Sequence, residues 1–254
     1  VDNDLWVYFL TNFLGIVLGI VLTFGVNSLW HRHQEKRRAK DILTLVRNEL
    51  LNNKEILHMQ ETLLKKDALI YKEILAARKD LGVISSATLG EYYTQIQNVS
   101  ISPLNTSAWQ IFQNSEVMQR VTSTEIVIRL TSCYSVMTTW QDFITVDYWQ
   151  AKRNLLVLAP EEPLRFFEEV LKNRELVSFC EMFRLDKEDI WEAFRIIDAT
   201  IDYVIMLLDK HGHYQYDMAD RDKDFEEYLR ARLSPKTASD LFNKESIANE
   251  GIKC

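Results

Sequence analysis

From Leu5 to Trp30 the chain reads LWVYFLTNFLGIVLGIVLTFGVNSLW, 26 residues without one charged side chain. As an α-helix at about 1.5 Å per residue this run covers roughly 39 Å, more than the ~30 Å hydrocarbon core of a bilayer. Trp6 and Tyr8 stand near one end and Trp30 at the other, where amphipathic rings favour the water interface. A cleaved leader fits poorly. The basic residues follow the apolar run instead of preceding it, the run is too long, and no A-x-A-like site comes after it. The expectation is one transmembrane helix.

Charge orients it. Asp2 and Asp4 precede the run, and Arg32, Lys36, Arg37, Arg38 and Lys40 follow it, with Glu35 among them. The positive-inside rule puts this membrane flank, and all that follows, in the cytoplasm. The cluster works as a topology signal, and it also offers positive charge to anionic lipid heads. Residues 1–40 carry 5 Lys+Arg against 3 Asp+Glu, a net of +2; the remainder carries 25 against 34, a net of −9. An acidic body on a basic neck argues against nucleic acid as a partner. The mean hydropathy of −0.17 hides this division by averaging over it.

The span has a sided pattern. Asn12, Gly15, Gly19, Thr23 and Asn27 recur every three or four residues and share one helical face. Gly15 to Gly19 is a G-x-x-x-G match, which lets two backbones approach, while Asn and Thr hydrogen-bond across the contact. The stripe reads as an oligomerisation face, or as the lining of a narrow polar path in an oligomer. No charged ring lines it, which disfavours a conducting pore.

The rest reads as helix. The chain has 7 Gly and 4 Pro in 254 residues, too few turn formers for an all-β fold. No Gly or Pro lies between Glu35 and Lys79, and Ile42, Leu43, Val46, Leu50, Leu57, Leu64 and Ile74 keep helical spacing, so the span and this element form one long helix ending at Gly82. Asn53, Gln60 and Asp67 fall on its inner side seven residues apart. They mark either a coiled-coil register or a bundle helix with a partly wet stripe. A short helix from a Ser86 cap to about Asn98 and another over Ala108–Asn114 flank a loop around Pro103. A long helix follows over Thr124 to about Leu158, stopped by Pro160 and Pro163. Pro163 opens the next helix, whose core side runs from Phe166 to Phe183. Asp186 caps a helix with Ile190, Phe194, Ile197, Ile201, Val204 and Leu208 inward, ending before Gly212. Phe225, Tyr228 and Leu229 allow one more short helix. The expected fold is all-α, one N-terminal transmembrane helix continuing into a long-helix cytoplasmic bundle. The divisions are 1–34 for the span and flank, 35–232 for the bundle and 233–254 for a polar tail.

The order of span, Asn27-Ser28-Leu29-Trp30, charged helix, and then Thr106-Ser107-Ala108-Trp109-Gln110-Ile111-Phe112-Gln113-Asn114-Ser115 with Leu130 to Tyr134 downstream resembles a family of bacterial single-span membrane proteins of unknown function. The likeness covers the first half of the chain and departs at Asn114-Ser115-Glu116, where the family pattern has Ser-Gly. It implies an inner-membrane protein with a helical cytoplasmic domain, and no catalytic residue.

Chemistry is sparse. Phosphate-cradling, dinucleotide, zincin and nucleophile-elbow motifs are absent, and no cofactor is expected. Cys133, Cys180 and Cys254 are scattered and suit a reducing compartment. His211 and His213, with Asp209, Asp217 and Asp220 near in sequence, are the weak metal candidates, against a polar loop after a helix. Asp220, Asp222 and Asp224 begin like a calcium loop, but Phe225 replaces the required Gly and Ala231 the Glu. Trp109, Trp140, Trp149 and Trp191 read as core. The function expected is a non-enzymatic, membrane-anchored protein that meets lipid, self-associates and presents an acidic domain to a cytoplasmic protein partner. The rival is a signalling or defence effector whose oligomerised spans perturb the membrane.

Overall fold

A computed structural model describes residues 3–98, 101–121, 123–157, 162–184, 188–210, 225–235 and 237. Most side chains between 3 and 32, and those of 119, 120 and 189, lie outside this description. Among the described residues every regular element is helical. Helix α1 runs unbroken over Asn3–Ala76, 74 residues or roughly 110 Å. No Gly or Pro interrupts it after Gly25, which removes the usual causes of a kink. From Leu43 onward its inner stripe of Val46, Leu50, Leu57, Leu64, Tyr71 and Ile74 is buried, and this half of α1 forms the central wall of the bundle. Among the described residues no helix is long and apolar enough to cross a membrane. Of the apolar run, only Val17, Asn27 and Trp30 have described side chains, and all three are exposed.

Gly82 does not end α1. The helix stops at Ala76, and Gly82 sits in a 3-10 turn over Leu81–Val83, its N–H donating to Asp80 Oδ1 at 2.8 Å. A Cβ on Gly82 would come within 2.9 Å of that same oxygen, so a larger residue here would push the Asp80 carboxylate aside. Helix α2 covers Ser86–Gln97 and is capped one residue earlier than expected, by Ser85, whose Oγ accepts from Thr88 N. Helices α3 (Ser107–Asn114) and α4 (Val117–Arg120) follow the Pro103 loop.

The long helix from Thr124 is interrupted. Helix α5 covers Thr124–Asp142, a π segment Phe143–Tyr148, and α6 Trp149–Val157. Trp140, Ile144, Tyr148 and Lys152 are all buried and stand four apart. That spacing exceeds the 3.6 residues of an α turn, and the wider π turn keeps the four on one face. The single helix expected from 163 is two: α7 (Pro163–Lys172) and α8 (Arg174–Met182). Asn173 is extended between them, and its Oδ1 accepts from Glu175 N and Leu176 N, so one side chain starts α8 where no Gly or Pro marks a break.

Helix α9 (Glu188–Lys210) packs antiparallel on α1. Arg47 pairs with Asp209, Lys54 with Asp202 and His58 with Asp198, so steps of seven and four along α1 match the same steps backward along α9. Phe194 meets Trp140 of α5 at 4.2 Å, Phe179 of α8 meets Tyr71 of α1, and Phe166 of α7 meets Tyr93 of α2. A further helix, α10, at 225–230 lies on α9 through a small separate cluster of Leu229, Leu233 and Ala199. Ser234 N donates to Glu192, so the docked segment continues past 232.

Candidate functional site

The inner face of α1 carries a column of polar side chains: Glu49, Asn53, Gln60 and Asp67. Asn53 and Asp67 are fully buried and Gln60 nearly so. A buried polar atom without a partner costs about 1–3 kcal/mol, so each must find one. The partners come from the segment between α2 and α3 and from helices α3, α5 and α6. Glu49 accepts from Ala108 N at 2.7 Å, from Trp109 N at 3.2 Å and from the Tyr134 hydroxyl at 2.7 Å. Thr106 gives α3 no side-chain cap, so a carboxylate of α1 caps α3 instead. Asn53 bonds both the N–H and the carbonyl of Asn105, each at 2.7 Å. Gln60 donates to the Ser102 carbonyl and accepts from Trp140 Nε1, both at 2.9 Å. Gln141 of α5 accepts from Leu104 N. The irregular stretch 101–106 thus has its backbone bonded by side chains from two helices, as a strand beside it would do.

At the lower end of the column Asp67 meets Lys152 of α6 at 2.5 Å, and neither side chain is exposed. Gln95 Nε2 and the Tyr148 hydroxyl also donate to Asp67, and Lys152 donates to the Asn98 carbonyl at 2.9 Å. The ring faces of Tyr148 and Trp149 flank the ammonium within about 6 Å, at cation–π distance. Burial pulls the Lys152 ammonium below its ordinary 10.5, against the pull of Asp67. Burial, then the neighbouring Tyr71 and Asp67, pushes the Tyr148 hydroxyl well above 10. Burial likewise raises Tyr134, helped by Glu49. The Tyr71 hydroxyl lies beside Tyr148 without a hydrogen bond of normal geometry. Neither side chain of the Asp67–Lys152 pair is exposed, and the pair joins α1, α2, α6 and the loop.

Asn53, Gln60 and Asp67 therefore do not set a coiled-coil register. Their polar groups are bonded within the chain. Glu49, Gln141, Tyr148 and Lys152 belong to the same network, and the sequence reading did not single them out for it. Lys152 had one visible signal: it falls on the inward stripe between Tyr148 and Leu155.

The other sequence candidates are dispersed. Asn12, Gly15, Gly19 and Thr23 lie on the α1 backbone with side chains outside the described residues; Asn27 is exposed. Lys36, Arg37, Arg38 and Lys40 are exposed on α1, and the Arg32 side chain is outside the description. His211 and His213 also lie outside it, and Asp209 is engaged with Arg47. Among the described residues no group of three or more His, Cys, Asp or Glu is placed to hold a metal ion. Cys133 and Cys180 are buried, which pushes each thiol up to about 12. A hollow of about 270 Å³ opens between Glu125, Tyr203, Met206, Lys210, Glu227 and Tyr228, beside the end of α9. No family model, curated protein or solved structure matches the chain.

Proposed function

We propose that the protein is a membrane-anchored, self-associating, non-enzymatic component that presents an acidic helical body to a cytoplasmic protein partner. The observation that carries this reading is the continuity of α1. One helix holds the uncharged run, the basic flank and the central wall of the bundle. The 26-residue run is long enough to span a bilayer, the flanking Arg32, Lys36, Arg37, Arg38 and Lys40 favour a cytoplasmic body, and the resemblance to bacterial single-span membrane proteins implies the inner membrane. Among the described residues Asn53, Gln60, Asp67 and Lys152 are buried and hydrogen-bonded within the chain, which supports a structural role for this network. Mass measurement of the full chain in mild detergent tests the association. Oligomers that fall apart in the Gly15→Leu/Gly19→Leu variant are expected; a strict monomer at high concentration overturns it.

The same continuity favours a second reading, a signalling or defence effector. A partner that shifts the body would move the span with it, since no joint separates them. Ion leakage upon triggered expression, lost when residues 1–30 are removed, is the expected result. Intact membranes under every trigger count against this role.

A further inference from the structure

Helix α9 is buried on two sides. Phe194, Ile197, Ile201 and Val204 face the main core. Glu192, Ala199 and Tyr203 are buried as well, at 7%, 2% and 3% exposure. At about 100° per residue these three share the side of the helix opposite that inward stripe. The segment 225–235 lies along this second side, antiparallel to α9. Phe225 and Tyr228 meet the Tyr203 ring at 4.9 and 5.2 Å, and Leu229 and Leu233 close on Ala199 and Ile196. Arg232 pairs with Asp202 at 2.7 Å, and Ser234 N donates to Glu192 at 3.2 Å. Arg129 of α5 adds its guanidinium over the Phe225 ring at 4.2 Å. The buried apolar side chains of this seam, Ala199, Leu229 and Leu233, form a cluster separate from the main core. Holding a segment of eleven residues costs backbone entropy at each one, and two buried leucines offset little of it. The seam is therefore a unit of low local stability that opens while the main core stays closed.

We propose that 225–235 is a detachable latch seated in a groove of α9, and that the vacated groove takes a short amphipathic segment of the same pattern from a protein partner. The seated latch shows what fits. Two leucines four apart fill the hollow over Ala199 and Ile196, aromatic rings pack on Tyr203, and a guanidinium reaches Asp202. Asp202 selects for that cation, because an acidic side chain in its place would set two carboxylates together. Latch and partner compete for one groove, so the closed chain inhibits its own binding and a partner must outbid the latch. This goes beyond the function proposed above and depends neither on anchoring nor on self-association.

Two measurements on the full chain in mild detergent test this, with Cys254→Ser as background. Hydrogen exchange at the amides of 229–233 is expected to run at least about tenfold faster than at those of 197–204. A labelled peptide with the sequence of 224–237 is then titrated into the parent and into Leu229→Asp/Leu233→Asp, whose latch cannot seat. Binding at least about tenfold tighter to the variant is expected, and weaker binding when the peptide carries Arg232→Glu. The buried Cys133 and Cys180 report on the bundle, since they stay shielded from an aromatic disulfide while it is folded. If the double variant exposes them, Arg232→Glu in the full chain replaces it, with the same expectation. Exchange at 229–233 as slow as at 197–204 overturns the latch. A variant with shielded thiols that binds the peptide no better than the parent overturns the groove.

Discussion

Asp67 Oδ2 and Lys152 Nζ are 2.5 Å apart, 85 residues apart in sequence and both out of reach of water. Such a pair holds distant elements together, because its charges have been removed from solvent and depend on each other. Removing one partner strands the other, at about 3–5 kcal/mol. Lys152→Met is expected to lower stability by that amount in urea unfolding. Asp67→Leu/Lys152→Met is expected to recover only part of it, since Gln95, the Tyr148 hydroxyl and the Asn98 carbonyl then lack their partner. Full recovery in the double variant would show that the network around the pair contributes little.

Glu49 caps a helix to which it does not belong. Glu49→Ala is expected to cost about 1–3 kcal/mol, because two amides and the Tyr134 hydroxyl lose their acceptor together. Hydrogen exchange at Ala108 and Trp109 checks it and is expected to speed up ahead of the rest of the bundle. Trp109 stacks on Tyr134 at 4.8 Å, so its fluorescence should shift as well. Unchanged protection at those two amides would assign their order to packing alone.

The α1–α9 seam is a different case, because its ion pairs are partly exposed. Lys54→Met is expected to cost about 1 kcal/mol or less, and the difference should shrink in high salt. The seam also sets an acid limit. Burial raises the Asp202 carboxyl, but hydrogen bonds from Lys54 and Arg232 outweigh it and hold the group below 3.8. A depressed carboxylate contributes stability that is present above its unfolded value and lost as pH falls through the folded one. Acid titration of Asp202→Asn against the parent should therefore converge below pH 3.8.

At the alkaline end the sign reverses. Cys133 and Cys180 rise from 9.0 to about 12 through burial, so between those values the folded chain keeps protons that the unfolded chain releases. Stability then falls as pH rises, by up to about 1.4 kcal/mol per unit for each thiol. Cys133→Ala/Cys180→Ala should flatten the slope between pH 9 and 12. It should still leave a fall above 10 from Tyr71 and Tyr148. In the parent, neither thiol should react with an aromatic disulfide until the bundle unfolds.

The helices were legible because apolar residues at three- and four-residue steps report a buried face directly. The elements that escaped notice were set by single polar atoms. Asn173 divides α7 from α8 with a side-chain cap, and nothing in its neighbours breaks the apolar pattern. The π segment was written in the sustained four-residue spacing from Trp140 to Lys152, which looks like an ordinary helix until the third step. Asn53, Gln60 and Asp67 were visible as inward polar residues. Their partners, the backbone of 102–105 and the Lys152 ammonium, lie at least 42 residues along the chain and follow no short-range rule.

An unbroken α1 also makes the neck a torsion shaft. One residue inserted between His33 and Lys36 would turn the whole bundle by about 100° about the helix axis and lift it by about 1.5 Å, while seven would bring it back to within about 20°. The bearing of the acidic body is thus written in the number of residues of the neck, and insertions there act as rotations.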